Sequence, residues 1–123
     1  RDMDVVSAGM IGPGRPVPDH AATTARSRGE DLTCHRSQLL SSTLVQSSHL
    51  ILVMDPAQRT RVVRQHVFDP EAVVLLGDYD PQPIVKRAIR DPYAQTQDVF
   101  EDVFARIDRC AAANTAAARM SAD

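Results

Sequence analysis

The sequence predicts an α/β domain in which a short parallel sheet is covered by helices on both faces. Two observations carry that expectation. Short β-rich or apolar runs alternate with amphipathic stretches along the chain, the order that successive βαβ units produce. Two of the runs, "HLILVM" (49–54) and "AVVLLG" (72–77), are continuously apolar at strand length, which marks strands buried on both faces.

The elements follow in order. "MDVVSAG" (3–9) is β-rich and ends at Gly9, so it predicts a first strand at about 3–8. The loop "MIGPGRPVP" follows, and Asp19 then opens a helix that can run to Gly29. "QLLSSTLVQSS" (38–48) is a weaker helical stretch. After the strand at 49–54, Asp55-Pro56 supplies an N-cap and a first-turn proline. The helix that follows carries Val62, Val63 and Val67 on one side. The third strand is placed at about 72–76. From Thr96 onward, Val99, Phe100, Val103, Phe104, Ile107 and Cys110 recur at helical spacing. They predict a helix from about 97 to 112 that packs on the sheet through Phe100 and Phe104. The tail "AAANTAAARMSAD" (111–123) is expected to fray. No repeat or linker divides the chain, so residues 1–123 read as one domain.

Composition narrows the function. At 13.5 kDa and 43% hydrophobic residues, the chain can bury a core. Its 14 basic and 16 acidic residues nearly balance and form no basic stripe, which argues against nucleic acid as a partner. No signal peptide is seen, and no apolar run nears the roughly 20 residues that span a bilayer, so no membrane role is expected. Cys34 and Cys110 stand alone, which suits a reducing, cytoplasmic compartment. His20, His35, His49 and His66 show no metal-ligand spacing, and neither a metal nor a cofactor is expected.

One loop stands out. Residues 78–90 leave the carboxyl end of the third strand and deliver Asp91-Pro92-Tyr93 to the sheet edge where ligands of open α/β folds bind. Loops of that length without regular structure are uncommon unless functional. The competing reading makes Asp91-Pro92 a plain helix entry. Asp78 and Asp80 read as turn residues. "GPGRP" (12–16) could offer backbone N–H groups to a phosphate or form an ordinary turn.

The blocks "VVSAG", "GRPVPDHA", "CHRSQLL", "HLILVMD", "VVLLGDY" and "IRDPYAQTQDVFEDVFARIDRC" resemble, in this order, those of bacterial low-molecular-weight protein tyrosine phosphatases. The resemblance covers roughly positions 4 to 110 and implies a three-layer α/β sandwich. It implies phosphotyrosine hydrolysis through a cysteinyl-phosphate intermediate. Asp91 takes the place of the general acid, Tyr93 that of the aromatic beside the substrate ring, and Pro13 that of a pocket side wall. Ser7 matches a residue that supports the phosphate loop. Ala94 stands where eukaryotic relatives have a second Tyr, so the pocket wall is less aromatic. The family's nucleophile is a Cys separated from an Arg by five residues, in a loop whose field lowers the thiol pKa. Neither cysteine here has that spacing, since Leu40 stands at the corresponding place after Cys34 and Ala116 after Cys110. "CHRS" (34–37) is a decoy on the same count.

The resemblance therefore implies that the family's first strand, phosphate loop and first helix are missing ahead of "VVSAG". With the chain opening on Arg1, an N-terminally truncated fragment that is inactive as written is expected. The implied partner is a phosphotyrosine protein, such as a bacterial tyrosine kinase of polysaccharide export. Two alternatives remain: a non-catalytic remnant or interaction module, and an arsenate reductase relative. The second would need further cysteines ahead of the acid, and residues 78–90 contain none.

Overall fold

In the computed structural model, which describes residues 4–122, strands β1 (Ile51–Val53) and β2 (Val73–Leu75) pair in parallel. Their register sets Ile51 against Val73 and Val53 against Leu75. The α/β class and the parallel pairing are as the apolar runs predict. Helices α1 (Asp19–Ser27) and α2 (Ser42–Gln46) precede β1, α3 (Pro56–His66) connects the strands, and α4 (Gln97–Ala122) closes the chain.

The connection between the strands shows how the sequence enforces the crossover. Asp55 sits in extended backbone, and its carboxylate accepts the Gln58 N–H at 2.8 Å. Gln58 reciprocates by accepting the Met54 N–H at 2.8 Å, which resembles a capping box displaced by one residue. Val62 is then driven into a core with Val53 and Val73, each buried valine contributing about 1.5–3 kcal/mol over an exposed one. Arg59 fastens α3 to the entry of β2 by donating to the Val73 carbonyl at 2.8 Å.

Three expectations need correction. Residues 4–8 form no strand, and Val5 and Val6 are 83% and 65% exposed. A strand exists only through its pairing, and no strand lies beside this segment among the described residues; β-propensity alone does not form one. Gly9 instead makes an isolated parallel bridge to Leu39. Secondly, β1 is covered on one face only: Leu50 and Leu52 remain 42% and 39% exposed. Thirdly, α4 extends to Ala122 rather than ending near residue 112, as alanine's high helix propensity allows.

The packing of α4 also differs in detail. Val103 and Cys110 join Leu76 and Ile89 in a second core cluster, flanked by Met54, Val99 and Ile107. Phe100 is buried, but its ring lies 5.6 Å from that of His20 on α1, and Phe104 is only half-buried. The helix thus packs on the turn after β2 and on α1 more than on the strands.

Val67 is not a core residue of α3. It ends the helix in the left-handed region (φ 44°, ψ 69°) and is 86% exposed. That conformation costs an L-residue with a β-carbon about 1–2 kcal/mol, part of which glycine would return as unfolded-state entropy. Val67→Gly is expected to stabilise the fold by about 0.5–1 kcal/mol. The check is a higher urea midpoint at unchanged m-value.

Candidate active site

The loop that carries Asp91 and Tyr93 is irregular but tightly held. After β2 the chain makes a 3₁₀ turn (Leu76–Tyr79) and then has no regular structure until α4. Irregular backbone leaves carbonyls and N–H groups that need partners. Arg106 of α4 meets three of them, donating to the carbonyls of Lys86 at 2.9 Å, Arg87 at 3.2 Å and Ala88 at 2.8 Å. The Ile89 N–H donates to the Met54 carbonyl at 2.8 Å, just beyond the end of β1. This bond sets the segment leading to Asp91 at the carboxyl edge of the sheet. Gly77 allows the loop to come so close, since a β-carbon there would overlap the Arg87 carbonyl.

Asp80 is the centre of this arrangement and not a simple turn residue. Its side chain is fully covered, and both oxygens are bound by Arg109, at 2.9 and 3.0 Å. Arg106 adds a third bond at 3.0 Å, and the Gln82 N–H a fourth at 2.9 Å. The hydrogen bonds from Arg109, then those from Gln82 and Arg106, hold the carboxyl well below the usual carboxylate range against the opposing effect of burial. The two guanidinium groups that bind it are themselves 15% and 28% exposed, so solvent partly screens the charges. Asp78, by contrast, is exposed and lies 3.9 Å from Arg87.

Asp91 itself is exposed, and its carboxylate accepts the Tyr93 N–H at 2.9 Å. The bond forms an Asx turn. The Gln95 N–H then donates to the Pro92 carbonyl at 2.9 Å, and Ala94 takes a positive φ of 61°. Because α4 begins only at Gln97, Asp91 caps no helix, and the plain helix-entry reading fails. Tyr93 is 60% exposed. Acid and aromatic are therefore adjacent at an accessible rim.

The structure does not tie the remaining predicted residues to this pair. Ser7 is exposed, and its carbonyl accepts from Gln38 Nε2 at 2.8 Å. Pro13 is exposed between Gly12 and Gly14, both at positive φ. Ser37 clasps this loop: its hydroxyl donates to the Gly12 carbonyl at 2.9 Å and accepts the Arg15 N–H at 3.0 Å. The Gly14 N–H is spent on the Ser37 carbonyl at 2.7 Å, so these donors serve a turn rather than a phosphate. Among the described residues, no hydrogen bond links 7–16 to 91–93.

The two free cysteines differ in their surroundings. Cys34 is exposed in a linker, and Cys110 is buried, with its thiol pushed up by that burial. Among the described residues no His, Cys, Asp and Glu side chains group as a metal site, and no helix is long and apolar enough to cross a membrane.

Sequence reasoning missed the two arginines of α4 that hold the acid loop. The available signal was their spacing: Arg106 and Arg109 fall beside Val103 and Cys110, placing two cations next to an apolar stripe. It also missed the anchor at the start of α4. Gln97 Nε2 donates to the buried Thr24 hydroxyl, and His20 Nδ1 lies 2.7 Å from Gln97 Oε1.

Comparison with known proteins gives a consistent picture. The sequence model described as low molecular weight phosphotyrosine protein phosphatase matches residues 1–121. The chain is 35% identical over 108 residues to a probable low molecular weight protein-tyrosine-phosphatase, EpsP, of Ralstonia solanacearum, covering 87% of this chain and 71% of that protein. It is 30% identical over 109 residues to the low molecular weight protein-tyrosine-phosphatase Etp of Escherichia coli K12, covering 85% and 69%. The crystal structure of the Erwinia amylovora tyrosine phosphatase AmsI superposes with a TM-score of 0.77 at 28% identity, covering 85% of this chain and 67% of that one.

Proposed function

The chain belongs to the low molecular weight phosphotyrosine protein phosphatase family, and on that premise we propose that residues 1–123 supply the acid half of a phosphotyrosine hydrolase. The observation that carries this reading is the Asp91 carboxylate: exposed, held in an Asx turn, and presented by a loop fastened to the carboxyl edge of the sheet.

The proposed reaction has two steps. A cysteine thiolate attacks phosphorus, and the bond to the tyrosyl oxygen breaks with its electron pair going to oxygen. The Asp91 carboxyl gives that oxygen its proton. Water then attacks the phosphocysteine and passes a proton to Asp91, and the sulfur leaves as thiolate. Tyr93 packs on the substrate ring, Pro13 forms a side wall, and Ser7 supports the phosphate loop. The substrates are phosphotyrosyl proteins, with a bacterial tyrosine kinase as the partner class, and the two free cysteines suit work in the cytoplasm.

The nucleophilic half needs a Cys and an Arg separated by five residues, which residues 1–123 do not contain. We propose that these residues alone do not turn over phosphate esters. The same sequence feature favours a second reading, a non-catalytic interaction module. One experiment separates the two. Residues 1–123 are compared with the same residues preceded by a family-type strand, Cys-to-Arg loop and helix, using an aryl phosphate and a phosphotyrosyl peptide. Turnover by the extended chain only, with a trapped phosphocysteine, is the expected result. A folded extended chain that hydrolyses neither substrate favours the interaction module.

A further inference from the structure

Between the segment ending at Arg90 and α4 lies a cleft of about 330 Å³. Its lining includes Ile89, Arg90, Asp102, Val103, Arg106 and Arg109. Asp91, Tyr93, Ser7 and Pro13 are not part of it. The volume lies at the lower end of the range for small-molecule sites.

The charge of this cleft is not used up by the fold. Three guanidinium groups and one carboxylate line it, and Asp80 behind them offsets one further positive charge. Arg106 is committed to Asp80 and to three backbone carbonyls. Arg109 gives Nε and Nη2 to Asp80, and among the described residues its Nη1 has no partner. Arg90 is exposed and, among the described residues, makes no side-chain hydrogen bond. Two arginines with uncommitted, fixed-charge donors thus line one cleft, where planar forks suit an oxyanion.

We propose that this cleft binds a tetrahedral oxyanion, a free phosphate or the phosphoryl group of a small ester, between Arg90 and Arg109. The anion bridges the residue before the general acid to α4, and so it adds a removable brace to the loop. Asp102 is the carboxylate that limits affinity, since its charge opposes the anion.

The test is direct, because residues 1–123 contain no Cys-to-Arg phosphate loop to compete for the ligand. Inorganic phosphate is titrated into the protein at constant ionic strength set with chloride, and binding is read by calorimetry and by the shift in Tm. Phosphate is expected to bind and to raise Tm where chloride does not. Arg90→Gln should weaken binding about fivefold or more, and Asp102→Asn should tighten it by about twofold or more. Both side chains are exposed, so neither change disturbs the core. A parallel titration with glucose 1-phosphate distinguishes the sources: tighter binding than inorganic phosphate points to an ester, and equal or weaker binding to free phosphate. The proposal is overturned if phosphate and chloride act alike, or if both variants bind phosphate as the parent does. Loss of catalysis in an Asp91 variant leaves these readouts untouched, so the two readings fail separately.

Discussion

Asp91→Ala, in a chain that also carries the Cys-to-Arg loop, is expected to lower kcat on phosphotyrosine by about 10²–10⁴-fold with little change in substrate binding. That is the usual contribution of a positioned general acid. A tyrosyl oxygen leaves phosphorus poorly unless a proton arrives as the bond breaks. Aryl phosphates with strongly acidic phenols need no such proton, so the loss on them should shrink where phosphoenzyme formation is measured. Asp91→Asn sharpens the test. Asparagine keeps an oxygen that can accept the Tyr93 N–H, so the Asx turn survives while the proton is lost. If Asn is as damaging as Ala, the proton matters; if Asn restores most of the rate, the residue only shapes the turn.

The second large effect is on stability and falls at Asp80. Asp80→Ala leaves Arg106 and Arg109 side by side, 15% and 28% exposed, with no counter-ion. Removing one partner of such a cluster is far more damaging than the cluster's net worth, because the remaining charges stay desolvated. A fall in Tm of roughly 10 °C or more is expected. The pH dependence has a definite sign. The folded-state pKa of Asp80 is depressed, so its stabilisation is fully present above the unfolded carboxylate pKa of about 3.9. It is lost progressively as pH falls below about 4 toward the folded value. A Tm series from pH 6 to pH 2 should steepen below about pH 4 in the parent and be flatter there in Asp80→Asn. Parallel curves for the two proteins would show that Asp80 does not titrate differently on folding.

Local signals in this sequence were read correctly where they act locally. Asp55-Pro56 announces an N-cap, and the cap forms with Gln58. The apolar runs at 49–54 and 72–77 announce parallel strands, and 51–53 pairs with 73–75, although β1 is covered on one face only. What was not legible depends on distant partners. Val5 and Val6 look like strand residues, yet the pairing that makes a strand is not a property of one segment. Asp80 looks like any turn aspartate because its two arginines stand 26 and 29 positions away. Asp91 and Tyr93 stand together because they are neighbours in the chain, whereas Ser7 and Pro13 belong to a loop bonded elsewhere.

The bond from Ile89 to Met54 and the bond from Gln97 to Thr24 bracket the acid on both sides. Residues 90–96 are therefore a short tether with both ends fixed, and Asp91 lies two positions from the nearer anchor. A carboxylate on such a tether explores only a small shell of space, so its effective concentration at the sheet edge greatly exceeds that of a group on a free loop. The ordering entropy is spent once, during folding, through these two anchors and the bonds from Arg106 to the carbonyls of residues 86–88. On the proposed reading of Asp91, the geometry for proton delivery is thus prepared by residues that hold the loop from behind.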